Sequence, residues 1–318
     1  MAPLSDDCFA FGDRLMPGAD ALERIRTMSL PVPEIETVPL AAAAGRILAA
    51  PLESTSDVPP HDNAAVDGYA VFFADLTAGE PSVLPVTGRA AAGHPLDRAA
   101  RRGEAIRIFT GAPMPAGADT VFMQEDCRLD GDCVVVPAGL RRGSNRRLAG
   151  EDIRAGAIAL PAGRRLAAQD IALAAALGLT KLDARRRVRV ALFSTGDEIV
   201  EPGVALPRAA LYDSNRYLLA GLIARLNAEM TDLGILGDDP EALKAALRAA
   251  AADHDLVLTS GGVSAGEADH VRSAVESIGR LVFWRLAVKP GRPVAMGVIP
   301  GTAGHGAAFV GLPGNPVA

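Results

Sequence analysis

The sequence predicts an α/β protein of several domains: a three-layer α/β domain with a mostly parallel sheet, an inserted mainly β domain, and a mixed linking domain built from two segments. Three observations carry this. From Val188 onward, apolar runs of strand length alternate with helical patterns and polar loops, the rhythm of a parallel sheet covered on both faces. From Ser54 to about Gly150, short β-type runs are separated by Gly/Pro turns. At 318 residues the chain is long enough for two or three domains and a large core. The divisions fall at residues 1–53 plus 151–184 (linking), 54–150 (β) and 185–318 (α/β).

In chain order, Asp20-Ala21-Leu22-Glu23 reads as a capping box. Leu22, Ile25 and Met28 fall on one face of the helix it opens, and Pro31 and Pro33 stop that helix. Glu34–Val38 alternates as a strand, and Leu40–Leu48 reads as a second short helix interrupted by Gly45. The β segment carries runs at Ala70–Phe73, Val83–Thr87, Ala105–Phe109, Thr120–Met123 and Cys133–Val136. Cys127 and Cys133, either side of Asp130-Gly131, read as strand residues across a hairpin. Ile158–Pro161 and a Gly163 turn precede a helix near Leu166–Leu177, ended by Gly178; packed on the N-terminal helix it makes the β region an insertion between two halves, and a serial arrangement fits the same string.

The last segment opens with the apolar strand Val188–Phe193, followed by a helix at Asn215–Asn227 and a strand at Met230–Leu236. Asp239 then caps a helix with Pro240 in its first turn, Leu243 and Leu247 sharing a face. The strand Asp255–Thr259 runs into a Ser-Gly-Gly turn, and Leu281–Val288, Pro293–Val298 and Ala308–Leu312 complete the sheet. A helix is expected after Gly314-Asn315-Pro316, so the chain reads as cut short.

Composition narrows the function classes. Hydrophobic residues make up 49% and charged residues 22%, as in an ordinary soluble globular protein. No run reaches the roughly 18 apolar residues of a membrane span, and the acidic start lacks the apolar core of a secretory signal, which makes the cytoplasm the default. A net charge of −6, with arginine pairs lacking interleaved aromatics, argues against a nucleic-acid partner. Three cysteines without metal-ligand spacing argue against zinc and against a disulfide framework. Neither G-x-x-x-x-G-K-[ST] nor a strand-to-helix G-x-G-x-x-G occurs, so the common ATPase and dinucleotide readings fail.

Polar motifs recur at the ends of the C-terminal strands, where an open α/β sheet binds its ligand. They are Thr195-Gly196-Asp197-Glu198, Asp213-Ser214-Asn215, Asp238-Asp239, Ser260-Gly261-Gly262, Glu267-Ala268-Asp269, Lys289-Pro290-Gly291-Arg292 and Pro313-Gly314-Asn315-Pro316. Ser260, Gly261 and Gly262 offer a hydroxyl and backbone N–H donors to an anion, because glycine has no Cβ to block the approach. Glu198, Asp238 and Asp269 are acceptor-only groups suited to Mg²⁺, which keeps waters and takes few protein ligands. Lys289 and Arg292 are cations for a phosphate or another oxyanion. The combination points to a phosphorylated or oxyanionic ligand with a divalent metal.

Taken in order, these motifs resemble the MoeA family of molybdopterin molybdenumtransferases, related to the gephyrin E domain. The resemblance rests on Asp62-Asn63, Asp67-Gly68-Tyr69-Ala70-Val71, Thr110-Gly111-Ala112-Pro113, Gln124-Glu125, Asn145, Arg147 and Gly150-Glu151-Asp152-Ile153. It continues through Ser194–Glu198, Tyr212–Asn215, Thr259–Asp269, Lys289–Pro293 and Gly311–Val317, covering nearly the whole chain. It implies a MogA-like α/β domain and insertion of molybdate into adenylylated molybdopterin, with Mg²⁺-dependent release of AMP. It implies catalytic roles for Asp67, Thr110, Asp152, Glu198, Asp238 and Asp269, with Glu198, Asp238 and Asp269 at the metal. Ser260, Gly261, Gly262, Ser264, Lys289, Arg292, Pro313, Gly314 and Asn315 would bind the cofactor precursor. The family pattern further implies a homodimer with an inter-subunit active site, to which Asp67 contributes, and a molybdopterin adenylyltransferase as the upstream partner.

The chain departs from that pattern in places. His61, Ala64 and Val66 stand where Phe, Ser and Met are usual, Arg292 stands where Lys is common, and the family's C-terminal β domain is expected to be absent. Two other readings fit part of the motif set. A MogA-type adenylyltransferase shares the α/β domain but lacks the β domain around Asp67-Gly68-Tyr69. A gephyrin-like scaffold binding a receptor peptide would not require Glu198, Asp269 and Lys289 together.

Overall fold

The computed structural model describes residues 16–28, 31–263, 270–287, 293–301 and 306–314. By internal contacts the chain divides into two compact units, Thr37–Ala184 and Met1–Glu36 with Arg185–Ala318.

In the second of these, six strands form one sheet. Glu229–Leu236, Arg189–Thr195, Leu256–Ser260 and Gly306–Leu312 lie side by side and parallel. Pro293–Pro300 is antiparallel to its neighbours, and Arg280–Arg285 forms the far edge. Alternation along the strands divides the apolar residues between two faces. Ala191, Phe193, Val257, Ala295 and Phe309 pack against Leu243, Leu247 and Ala250 of the helix Pro240–Asp253, and against Val271, Ala274 and Val275 of the helix His270–Ile278. Val190, Leu192, Leu258 and Val310 meet Leu219, Ala220 and Ile223 of the helix Asn215–Arg225 on the opposite face. The result is the expected three-layer α/β arrangement with a mostly parallel sheet. Phe193 and Phe309 are fully buried, each worth about 1.5–3 kcal/mol of apolar transfer. Asp239 caps its helix as the sequence predicts, accepting from the Ala242 N–H at 2.7 Å.

The N-terminal helix differs from expectation. It spans Gly18–Met28, so Asp20 sits inside the first turn, where its charge complements the helix dipole instead of capping the end. Its buried face centres on Ala21, while Leu22 is 60% exposed. Met16 and Ala21 pack with Val282, Leu286, Val294 and Met296, and the Ala287 N–H donates to the Met16 carbonyl at 2.6 Å. This helix therefore covers the α/β sheet and not the helix Ala168–Ala176. Val294 and Met296 alternate with Ala295, which places it on the same face as Asn215–Arg225.

In the Thr37–Ala184 unit, a six-stranded sheet runs Thr120–Met123, Gly68–Val71, Ala105–Ile108, Ser82–Ala90, Cys133–Val136, Arg128–Asp130. All neighbours are antiparallel except Ser82–Ala90 with Ala105–Ile108. Ala70, Ile106, Ile108 and Val121 fill one face, and Tyr69, Val71, Phe122 and Val134 fill the other. The Asp130-Gly131 hairpin forms as expected, Gly131 taking φ +60°. Cys133 is a strand residue but pairs with Asp130, and Cys127 falls just before the strand Arg128–Asp130, at the end of the 3₁₀ turn Gln124–Asp126, so the two cysteines do not face each other across the hairpin. Burial pushes the Cys127 thiol up to about 11, which does not suit a redox centre.

A separate cluster of Val38, Ala43, Leu48, Leu160, Leu166, Ala174 and Leu182 surrounds the helix Ala168–Ala176. The helix expected at Leu40–Leu48 is only a single 3₁₀ turn, Leu40–Ala42. Gly45 takes φ +73°, and the Gly45 and Leu48 N–H groups donate to Leu166 and Arg164 carbonyls, so tertiary pairing replaces the helical ladder. The strand Lys181–Arg185 was not legible, because it offers only Leu182 and Ala184 as apolar positions. It pairs with Ile35–Pro39.

Candidate active site

At the C-terminal ends of the four parallel strands lies a cleft of about 520 Å³. Each strand hands over to a polar turn there: Thr195 into Gly196 and Glu198, Leu236 toward Asp238, Ser260 into Gly261-Gly262, and Leu312 into Pro313-Gly314. The geometry follows from parallel register, since Ser194 pairs with Ser260 and Ser260 with Leu312.

Glycine at these turns is a steric requirement. Gly261 takes φ +93°, and a Cβ on it would lie 2.4 Å from the Thr195 carbonyl oxygen. A Cβ on Gly262 would fall 2.3 Å from Val271 Cγ2. Gly196 takes φ +141°, and a Cβ there would meet Glu198 Oε2 at 2.7 Å. One expectation about this loop is corrected. The Gly261 N–H is committed to the Leu312 carbonyl at 3.0 Å, so it is not free for an anion. Thr195 Oγ1 donates to Asp238 Oδ1 at 2.7 Å, fixing that carboxylate while leaving Oδ2 available. Asn215 Nδ2 bridges the two rims, donating to Ser260 Oγ at 2.7 Å and to the Gly314 carbonyl at 2.9 Å.

Beside the cleft stands an ion cluster that the sequence reading missed. Arg216, 6% exposed, donates through Nε to Asp213 Oδ2 at 2.9 Å, through Nη1 to Asp232 Oδ2 at 2.5 Å, and through Nη2 to Glu201. Its hydrogen bond holds the Asp232 carboxyl below the usual carboxylate range. The three acids come from the helix entry, the edge strand and the excursion 196–213, so one guanidinium ties these segments together. The only sequence signal was an arginine directly after Asp213-Ser214-Asn215, and its partners at 201 and 232 lie too far along the chain to suggest the pairing.

The structure places Asp67, Thr110 and Asp152 in the other unit. Asp67 Oδ1 accepts from both the N–H and Oγ1 of Thr110 at 2.8 Å. Those bonds, backbone first, hold the Asp67 carboxyl below its ordinary value. Arg107 donates to the Gly68 carbonyl at 3.1 Å and to Gln124, and lies over the Tyr69 and Phe109 rings. Asp152 accepts from Arg147 Nη2 at 2.5 Å, and the same arginine reaches Glu151 at 3.3 Å. Ser264, Asp269, Lys289, Arg292 and Asn315 lie outside the described residues. Among the described residues no three His, Cys, Asp or Glu side chains gather into a metal-binding group, and no helix is long and apolar enough to cross a membrane.

Comparison with known proteins bears on both units. Residues 16–178 match the MoeA N-terminal region (domain I and II), and residues 191–318 match a probable molybdopterin binding domain. The chain is 40% identical to a molybdopterin molybdenumtransferase of Haemophilus influenzae, over 91% of this chain and 70% of that protein. It is also 40% identical to one of Nostoc sp., over 90% of this chain and 66% of the relative. Two crystal structures of MoeA proteins from Pyrococcus horikoshii superpose with TM-scores of 0.77 and 0.79 at 36% and 31% identity. They cover 96% of this chain and 76% and 75% of their own.

Proposed function

We propose that this chain, which belongs to the MoeA family of molybdopterin molybdenumtransferases, inserts molybdate into adenylylated molybdopterin with Mg²⁺-dependent release of AMP. The observation that carries the reading is the cleft at the parallel strand ends, where Glu198 and Asp238 share a wall with the Ser260-Gly261-Gly262 turn. A MogA-type adenylyltransferase would need no counterpart of the Asp67–Thr110 pair, which this chain builds with two hydrogen bonds to one oxygen.

The donor set suits Mg²⁺. Asp238 keeps Oδ2 free of its bond to Thr195, Glu198 lines the same cleft, and Mg²⁺ is held by one or two carboxylates plus waters and phosphate oxygens. Asp269 is proposed as the third ligand. Bound there, the ion would neutralise the phosphate oxygens of the adenylylated substrate. The chain's own residues then divide the work. Thr195 orients Asp238. The Gly-Gly turn lets backbone approach the phosphates, with Ser264, Lys289 and Arg292 proposed to supply further donors and cations. Pro313 and Gly314 close the far rim, and Asn315 is proposed to bind the cofactor precursor with them. We place Asp67, Thr110 and Asp152 on the opposing wall of the site, contributed by a second copy of this chain in a homodimer. The upstream partner is proposed to be a molybdopterin adenylyltransferase, and the location cytoplasmic. Of the expected division into a linking domain of 1–53 plus 151–184, an inserted domain at 54–150 and an α/β domain at 185–318, the cluster of Val38, Leu48, Leu160 and Leu182, separate from those of the β sheet, supports the linking domain from Val38 onward, while the helix Gly18–Met28 packs with the α/β domain instead.

The test supplies purified protein with adenylylated molybdopterin, Mg²⁺ and molybdate, and follows AMP. Molybdate-dependent AMP release is the expected result. Formation of the adenylate from molybdopterin and ATP would assign the chain to the preceding step, and inertness in both assays would favour a scaffold.

A further inference from the structure

The cleft has two chemically different sides. Ser194 and Ser260 are register partners and continue the strand face of Val190, Leu192 and Leu258, the face covered by the helix Asn215–Arg225. Thr195 continues the other face and leads to Asp238. The Ser194–Ser260–Asn215 side therefore carries hydroxyls and an amide, while the carboxylates Asp238 and Glu198 belong elsewhere on the wall.

Asn215 holds the main clue. Its Nδ2 donates to both Ser260 Oγ and the Gly314 carbonyl. A carbonyl oxygen can only accept, so Gly314 fixes which way the amide faces. That leaves Asn215 Oδ1 buried and without a partner among the described residues, and Ser194 Oγ, on a residue 2% exposed, is buried and without a partner among them too. Both residues line the cleft. Buried polar atoms are almost always bonded, and an unmet pair at a cavity wall marks where a ligand completes the set. Asn215 is also held in place, because the next residue's N–H and Nε both donate to Asp213.

The chemistry of an amide acceptor selects its partner. A phosphate or molybdate oxygen is itself an acceptor and would be repelled. A hard cation or an ammonium group would prefer the carboxylates. What remains is a neutral donor, an N–H or an O–H, and the ring amino groups of the proposed substrate supply the N–H. We propose that Asn215 is a binding residue whose Oδ1 accepts from the exocyclic amino group of a fused nitrogen heterocycle in the ligand, with Ser194 Oγ bonding the adjacent ring edge. The proposal rests on the adenylylated molybdopterin reading, and that substrate carries two such groups, one on the pterin and one on the adenine.

The experiment pairs deletion of the amino group with deletion of its acceptor. Calorimetric affinities are measured for a pterin against lumazine, which has oxygen in place of the 2-amino group, and for AMP against IMP, on the wild-type chain and on Asn215→Ala. In one pair the wild-type protein should prefer the amino ligand by about tenfold, as the loss of one well-made hydrogen bond implies. Asn215→Ala should erase that preference. The pair that responds identifies the source, pterin or adenine. A wild-type protein that discriminates in neither pair, that binds none of the four, or whose preference survives Asn215→Ala overturns the proposal. The wild-type arm needs no variant, so a misfolded Asn215→Ala cannot rescue the idea. Molybdate-dependent AMP release without discrimination would leave the overall reading intact, and discrimination without AMP release would do the reverse.

Discussion

Replacing Arg216 by methionine should cost this protein more than any single surface ion pair could. The guanidinium is 6% exposed and Asp213 is 2% exposed, while Asp232 and Glu201 are each 43% exposed. The two exposed partners contribute at most about 1 kcal/mol each once solvent screens them. Asp213 is different, because Arg216→Met strands a buried carboxylate with no cation, a change that costs about 3–5 kcal/mol. Urea unfolding followed by the fluorescence of Trp284, the sole tryptophan, on the edge strand of the same sheet, reads the unit that carries the cluster. With a slope of about 2–3 kcal/mol per molar, the midpoint should fall by roughly 1–2 M at pH 7. The sign with pH is fixed as well. Arg216 depresses the folded-state value of Asp232, so that part of the stability is complete above the unfolded carboxylate value near 4 and is lost as pH falls through the lower folded value. The gap between the two proteins should therefore narrow below about pH 4. A cost under about 1 kcal/mol at pH 7, or an equal gap at both pH values, would refute the reasoning.

Other perturbations have equally definite outcomes. Gly261→Ala forces a side chain into φ +93° and to within 2.4 Å of the Thr195 carbonyl; backbone strain alone is about 1–3 kcal/mol. A lower midpoint by denaturation, together with reduced AMP release, is expected, and unchanged values in both would count against the packing account. Asp67→Asn keeps an oxygen that can accept both Thr110 bonds, so the melting temperature should hold while AMP release falls by about a hundredfold. Glu104, buried against Arg98 at 2.6 Å, has its carboxyl drawn down to about 2, chiefly by that arginine. Its stabilising contribution is present above about pH 4.5 and lost as pH falls through 2, so Glu104→Gln should be destabilised at pH 7, with most of the gap to wild type closed as pH approaches 2 in the same denaturation series.

Much of the α/β unit was legible because a strand buried on both faces leaves a continuous apolar run, as Val190–Phe193 does. Asp239-Pro240 announced a helix start through purely local chemistry, and that survived. What failed were readings in which local propensity competed with distant backbone. The Leu40–Leu48 segment has helical composition, but its N–H groups find carbonyls more than a hundred residues away. Within the site, the polar turns could be read as a row of strand ends. The assignment of donors could not, because the Gly261 N–H turns away to Leu312 and Asn215 spans two loops 45 and 99 residues distant. The Arg216 cluster was invisible for the same reason.

The packing of Met16 and Ala21 against Val282, Leu286, Val294 and Met296 has a consequence for how the chain is made. Roughly 260 residues separate the N-terminal helix from the strands that cover it, and translation at about 5–20 residues per second leaves a wait of roughly 13–50 s. During that interval the intervening six-stranded sheet, whose strands all lie between Gly68 and Val136, has its complete set of partners. The helix must then be retrieved across a loop of that length, a closure whose entropic cost grows only logarithmically but whose search is slow. Biogenesis is thus expected to form the six-stranded β sheet before the helix Gly18–Met28 docks on its partner strands.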